Sequence, residues 1–142
     1  MFRNSKLYKS DLQPFACRRP LHSSCVLNIV SELIREGGVV DTVIGQVRDD
    51  PNSDVPAHLQ VRFSSFQPWG KYWVLDTDYE SYTVVYSCSY YVINKVEFLW
   101  ILGRERTVEE ETKDKILQML DNYKIDAMKM VDTVQDVDKC TL

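Results

Sequence analysis

Few residues in this chain have the types and spacing that chemistry demands. Cys17, His22 and Cys25 make a local sulfur and nitrogen grouping of the kind zinc uses. Structural zinc sites repeat a tight Cys-x2-4-Cys pair and add a second half, and no second half follows here. Asp76 and Asp78 lie two residues apart on an extended segment, so their carboxylates share a face as paired catalytic acids would. They also belong to a Thr-Asp-Tyr turn, where an aspartate is ordinarily a structural cap. Cys88 as a nucleophile needs a base beside it, and His22 and His58 are both distant in sequence. The reading is therefore of a non-enzymatic protein with no cofactor and no metal.

The denser signal is apolar. Between Lys71 and Arg104, three runs rich in Val, Tyr, Trp and Ile are cut by polar punctuation at Asp76 to Ser81 and at Ser87 to Lys95. Such content, with no Gly or Pro inside the runs, predicts consecutive short antiparallel strands. Upstream, Val26 to Ile34 and Val39 to Val47 flank Arg35-Glu36-Gly37-Gly38 and read as a hairpin. Asp49 to Pro56 is a polar loop. Leu59, Val61 and Phe63 then alternate with Gln60 and Arg62, which predicts a half-buried strand with those three facing inward.

The period changes at Thr107. Thr107 and Glu110 have the spacing of a capping box, and Glu109, Glu110 and Glu111 suit the positive end of a helix dipole. Ile116, Leu117 and Leu120 fall on one face, giving an amphipathic helix of about 14 residues ending at Asn122. Met128 to Val131 reads as a last strand. Six or seven meandering strands, one helix and one further strand point to a mainly β fold, an up-and-down barrel whose closure removes unpaired edges.

Composition narrows the function. At 142 residues with 44% hydrophobic and 27% charged content, the chain is one domain with a real core. No apolar run approaches the roughly 20 residues of a membrane span. Residues 1–25 hold five cations and one anion, so the net charge of −4 leaves −8 on the remainder. An acidic body argues against nucleic acid as a partner. The basic start lacks the apolar stretch of about 7–15 residues that a secretory signal needs, and Pro14 and Pro20 spoil a presequence helix. Residues 1–24 read as a disordered leader.

Thr77-Asp78-Tyr79 between two strands, followed by Trp100-Ile101-Leu102-Gly103-Arg104 leading into a helix, resembles the second and third sequence blocks of the lipocalin family. The stretches Tyr72 to Cys88 and Phe98 to Arg104 look most like its apolipoprotein D group. Asn122 to Asp126, Lys129-Met130 and Cys140 continue the likeness, which covers residues 25–142. The family's opening Gly-x-Trp block is missing, since Trp69, Trp73 and Trp100 all lie downstream. Arg104 thus lacks the tryptophan that its counterpart stacks on. The expectation is an incomplete barrel, truncated or alternatively spliced, with the first strand or two missing and one C-terminal helix.

The resemblance implies a carrier of a small hydrophobic ligand such as a fatty acid, sterol, retinoid or bilin. Its register implies an inward set of Val43, Val47, Leu59, Val61, Phe63, Tyr72, Val74, Thr83, Val85, Phe98, Trp100 and Leu102, with Trp100 foremost. Tyr72 and Thr83 would orient the ligand's polar end. It also implies a Cys25–Cys140 disulfide, worth about 4–5 kcal/mol in the chain-entropy model, and a secreted protein. Cys88 either bonds Cys17 or remains a free thiol. The alternatives are a non-binding remnant that self-associates through an open sheet edge, or a thiol-dependent enzyme.

Overall fold

Alternation from Val26 onward resolves into six strands: β1 (Val26–Ile34), β2 (Val40–Asp49), β3 (His58–Arg62), β4 (Gly70–Thr77), β5 (Tyr82–Tyr90) and β6 (Lys95–Gly103). They are followed by α1 (Glu110–Asn122) and a single 3-10 turn, Ala127–Lys129. The computed structural model describes residues 26–34 and 40–132. The leader, Cys17, Cys25, Cys140 and both expected disulfides lie outside the described residues. The strands form one sheet in sequence order, each neighbouring pair antiparallel. Among the described residues β1 and β6 each pair on one side only. The sheet is an open six-stranded meander rather than a closed ring.

A strand's side chains alternate between its two faces, and β5 divides them cleanly. Tyr82 and Val84 pack with Leu99 of β6 against Ile116 and Leu120 of α1. Val84, Leu99, Ile116 and Leu120 are all fully buried. Leu75, Tyr86, Ile101 and Met119 surround them. Burying two large aliphatic side chains contributes about 1.5–3 kcal/mol each, enough to dock a three-turn helix. A register shift between Val74 and Asp76 lets β4 present Leu75 to this cluster.

The helix ends differ from the sequence reading. α1 begins at Glu110 with Glu109 as its N-cap and no side-chain cap hydrogen bond. The Thr107–Glu110 capping box is therefore not formed, because Thr107 lies outside the first turn. Leu117 is exposed, and Met119 takes the third core-facing place beside Ile116 and Leu120. At the far end Lys124 adopts a left-handed conformation, φ 58°. Its N–H donates to Asp121 O at 2.9 Å and the Ile125 N–H to Leu120 O at 2.9 Å. These two hydrogen bonds close the helix in a Schellman motif and turn Ile125 back onto the core. Past it, Asp126 accepts from the Met128 N–H at 3.0 Å. Met128 and Lys129 thus lie within the 3-10 turn, and Met130 and Val131 leave it without forming the expected strand.

Ile116→Ala and Leu120→Ala are each expected to lower the unfolding free energy by about 3 kcal/mol, read from urea midpoints. Leu117→Ala serves as the exposed control. Equal effects at all three positions would show that α1 does not pack through the face described.

Candidate ligand-binding face

The strand residues that do not face α1 fall in rows across the opposite side of the sheet. Val74 pairs with Val85, and Val85 with Trp100. One step along, Leu59 pairs with Tyr72, the Trp73–Tyr86 register sets Tyr72 level with Ser87, and Ser87 pairs with Phe98. Val47 pairs with Val61, and Thr77 with Thr83, which pairs with Leu102. Eleven of the twelve inward residues expected from the sequence lie in strands on this one face. Phe63 falls just past the end of β3 and is exposed, because the chain leaves the sheet at Arg62. Val43 lies on the part of β2 that extends beyond β3 and is part-buried.

Aromatic rings organise the centre. Trp100 stacks with Phe98 at 5.5 Å between centroids and with Tyr72 at 6.1 Å. Beneath them Val85 is fully buried, and Val47 and Val61 are buried. Burial pushes the Tyr72 phenol up to about 12, because the phenolate would lose its hydration. Tyr72 is therefore a neutral donor at physiological pH. Among the described residues its hydroxyl meets no hydrogen-bond partner, and neither does that of Ser87, which sits level with it. Thr83 is different: its hydroxyl is 3.0 Å from that of Thr77, which donates to Tyr82 O at 2.7 Å. Ser87, a buried hydroxyl-bearing residue paired with Phe98 on this face, was passed over in the sequence because a serine between Tyr86 and Cys88 looks like strand punctuation.

The family-motif residues close one end of the sheet. Asp78 accepts from the backbone N–H groups of Glu80, Ser81 and Tyr82 at 3.0, 2.8 and 3.0 Å, and from the Ser81 hydroxyl. These donors, the Ser81 hydroxyl first, hold its carboxyl well below the usual range. Tyr79 sits at φ 64° and donates its N–H to Thr77 Oγ1 at 3.0 Å. Arg104 reaches across to Tyr79 O at 3.1 Å, and its backbone N–H donates to Ser81 O at 3.0 Å. Asp76 accepts from the Tyr82 hydroxyl at 2.7 Å on the helix-facing side. The two aspartates thus serve separate structural contacts and do not form an acid pair.

Other chemistry-bearing side chains lie on the outer surface. His58 stacks on Trp73 at 4.4 Å and contacts Ser53 Oγ through Nδ1 at 2.7 Å. The Trp73 indole N–H is buried with no partner among the described residues. Cys88 is buried without a sulfur partner among the described residues. Beside it, Tyr86 donates to Glu97, which also pairs with Lys95 at 2.7 Å. Lys95 first and then Tyr86 hold the Glu97 carboxyl below its ordinary value. Glu97, the cross-strand partner of Cys88, is thus engaged by both Lys95 and Tyr86.

The model of the lipocalin / cytosolic fatty-acid binding protein family matches residues 25–137, and the chain belongs to that family. It is 38% identical to apolipoprotein D of Macaca fascicularis over 115 residues, 80% of this chain and 59% of that protein. To the Lazarillo protein of Schistocerca americana it is 30% identical over 103 residues, 71% of this chain and 48% of that protein. The fold is similar to lobster apocrustacyanin A1, with TM-score 0.68 at 25% identity, covering 78% of this chain and 61% of that one. Apocrustacyanin C2 gives 0.70 at 23%, covering 84% and 64%. The chain spans about three-fifths of the length of the apolipoprotein D sequences it matches.

Folding lowers the Asp78 pKa from an ordinary value of about 3.9, so the turn's contribution is complete above that pH. It is lost as pH falls further, toward the lowered value. Asp78→Asn is expected to lower the melting temperature at neutral pH and to flatten the acid limb of the stability curve below about pH 4. An unchanged acid limb in thermal melts would remove Asp78 from that role.

Proposed function

We propose that the sheet face opposite α1 binds a small hydrophobic ligand with a neutral polar end, and that the chain serves as its carrier. The observation that carries this reading is the stacked group of Tyr72, Trp100 and Phe98 over buried Val85. Two hydroxyls in register, Tyr72 and Ser87, stand beside it. An apolar site with a few placed polar groups strips water from a guest and orients its polar end. Covering about 300 Å² of ligand at about 25 cal/mol/Å² contributes roughly 7 kcal/mol before association costs, to which ring stacking and the hydroxyl contacts add.

Hydroxyls satisfy an alcohol or carbonyl, while among the described residues of this face a carboxylate would find no cation to meet it. Among fatty acid, sterol, retinoid and bilin classes, the arrangement favours a sterol or a retinoid alcohol. Family membership supports extracellular action and a Cys25–Cys140 bond as parts of the same proposal. Titration with retinol, read from the ligand's own emission, is expected to saturate at micromolar concentration, and retinoate to bind more weakly. Trp100→Ala is expected to weaken retinol about tenfold, roughly 1.4 kcal/mol, and Trp100→Phe much less. A linear, unsaturable response to both ligands would end the carrier reading.

A second reading rests on the sheet edges. β6 runs nine residues with no proline and pairs only with β5 among the described residues, which makes it a template for another strand. Sedimentation velocity is then expected to show concentration-dependent dimers. A strict monomer at every concentration would discard this reading.

A further inference from the structure

The side of the sheet that bears α1 carries a patch for which the ligand face has no use. On β2, β3 and β4 the register builds a small grid. Arg48 pairs with Gln60, and Gln60 with Lys71. One step along, Gln46 pairs with Arg62, and continuing the His58–Trp73 register sets Trp69 level with Arg62. Continuing the Trp73–Tyr86 register then sets Trp69 level with Tyr90, which is 76% exposed. Lys71 is exposed, and Arg48 and Arg62 are half-buried. Cations thus alternate with aromatic rings along this strip.

The two guanidinium groups are held in place without being neutralised. They lie over the Trp69 ring at 4.1 and 4.5 Å from its centroid. Arg48 donates through Nε and Nη2 to Gln60 Oε1 at 3.0 and 2.8 Å, and Arg62 through the same atoms to Gln46 Oε1 at 2.9 and 2.8 Å. Both acceptors are uncharged amides. Nη1 of each arginine makes no hydrogen bond among the described residues. A guanidinium fixed over an indole with donors left over is set to hold an oxyanion. Little side-chain freedom remains to be lost when it does so.

Carboxylates beside the grid are already engaged. Asp50, whose N–H donates to His58 O at 3.0 Å, accepts from Gln60 Nε2 at 3.0 Å and from the Asn52 N–H at 2.9 Å. Toward β6, Glu97 pairs with Lys95 at 2.7 Å and accepts from Tyr86. Arg48, Arg62 and Lys71 form no ion pair among the described residues. Neighbouring strands lie about 4.8 Å apart, so Arg48 and Lys71 start about 10 Å apart, beyond the span of one small oxyanion. A linear partner with anions at intervals spans them. The leader holds +4 of a net −4, which leaves −8 on the remainder. A partner negative along its whole length is repelled on either side of the strip, and nucleic acid, with a charge every ~1.7 Å of duplex axis, is such a partner. A polysaccharide carries sulfate on some of its sugars, and its rings present C–H faces that suit Trp69 and Tyr90.

We infer that this strip binds a sulfated polysaccharide, with Arg48, Arg62 and Lys71 on the sulfates and Trp69 and Tyr90 against the sugar rings. It lies on the other side of the sheet from the proposed ligand face, and stands whether or not that face is occupied. The test is binding of the full chain to immobilised heparan sulfate, read by surface plasmon resonance. Saturable binding is expected at low salt, weakening as salt rises. Chemically desulfated heparan sulfate, which keeps its carboxylates, is expected to bind about tenfold more weakly or less.

Arg48→Gln/Arg62→Gln is expected to weaken binding about tenfold, and each cation removed to reduce the slope of log affinity against log salt by about one. If the arginine pair is needed for folding, Lys71→Gln, at an exposed side chain, decides through the same slope. Arg18→Gln/Arg19→Gln, in the basic leader, is expected to leave binding unchanged. No binding at low salt, or equal binding to the desulfated chain, would overturn the inference. So would a loss confined to the leader variant, which assigns the affinity to residues 1–25. Duplex DNA competing better than free heparan sulfate at equal charge would overturn it in favour of nucleic acid.

Discussion

The contact between α1 and the β5–β6 pair is the constraint from which the other features follow. Ile116 and Leu120 meet Val84 and Leu99 with no solvent left at any of the four. Because side chains alternate along a strand, fixing Val84 against the helix forces Val85 to the other side. Pairing carries that choice across the sheet, to Trp100 through β6 and to Val74 through β4. A slip of one residue would exchange the faces, sending Trp100 toward the helix and Leu99 toward the opposite side. The helix thus sets the register that collects the aromatic group on one surface.

A second tie holds the end of the same strands next to that contact. The Asp78 carboxylate gathers three backbone N–H groups that would otherwise be unpaired where the chain reverses between β4 and β5. Arg104 then joins the end of β6 to that reversal, through its backbone to Ser81 and its guanidinium to Tyr79. The family resemblance implied a tryptophan beneath this arginine. In the structure the guanidinium donates a hydrogen bond to a carbonyl of the neighbouring turn, so Arg104 ties the connection leaving β6 to the reversal between β4 and β5. Residues distant in sequence are brought into one cap, at a cost in rotamer freedom for the long Arg104 side chain.

Much of this was legible in the residues. The strands announced themselves through β-branched and aromatic runs, and the strict alternation of Leu59, Val61 and Phe63 named a face before any partner was known. What failed had local causes. Thr107 has cap chemistry, but Gly103 and the bends after it place the first helical turn three residues later. Leu117 obeys helical spacing, yet a sheet presents a flat surface that Ile116, Met119 and Leu120 cover without it. Met128 to Val131 looks extended by composition, while Asp126 captures the Met128 N–H and curls the chain. Ser87 and the Arg48–Trp69–Arg62 stack were invisible, because both exist only through register between strands.

The polar groups divide by face, and the division bears on selectivity. The outer surface of β2 to β4 holds guanidinium groups, an ammonium and an imidazole, each stacked on an indole. The face opposite α1 offers phenol and hydroxyl groups among hydrocarbon, and burial keeps the phenol protonated. A neutral hydroxyl costs little to desolvate and is satisfied by one acceptor or donor, whereas a buried cation demands a matching anion. The first arrangement tolerates an oily guest with a modest polar end, and also stays intact when no guest is present. Had Arg62 occupied the face of Val61, that side of the sheet would require a carboxylate or water to stand. The alternation in Gln60-Val61-Arg62 therefore determines both where charge meets the surroundings and which molecules the apolar face can take.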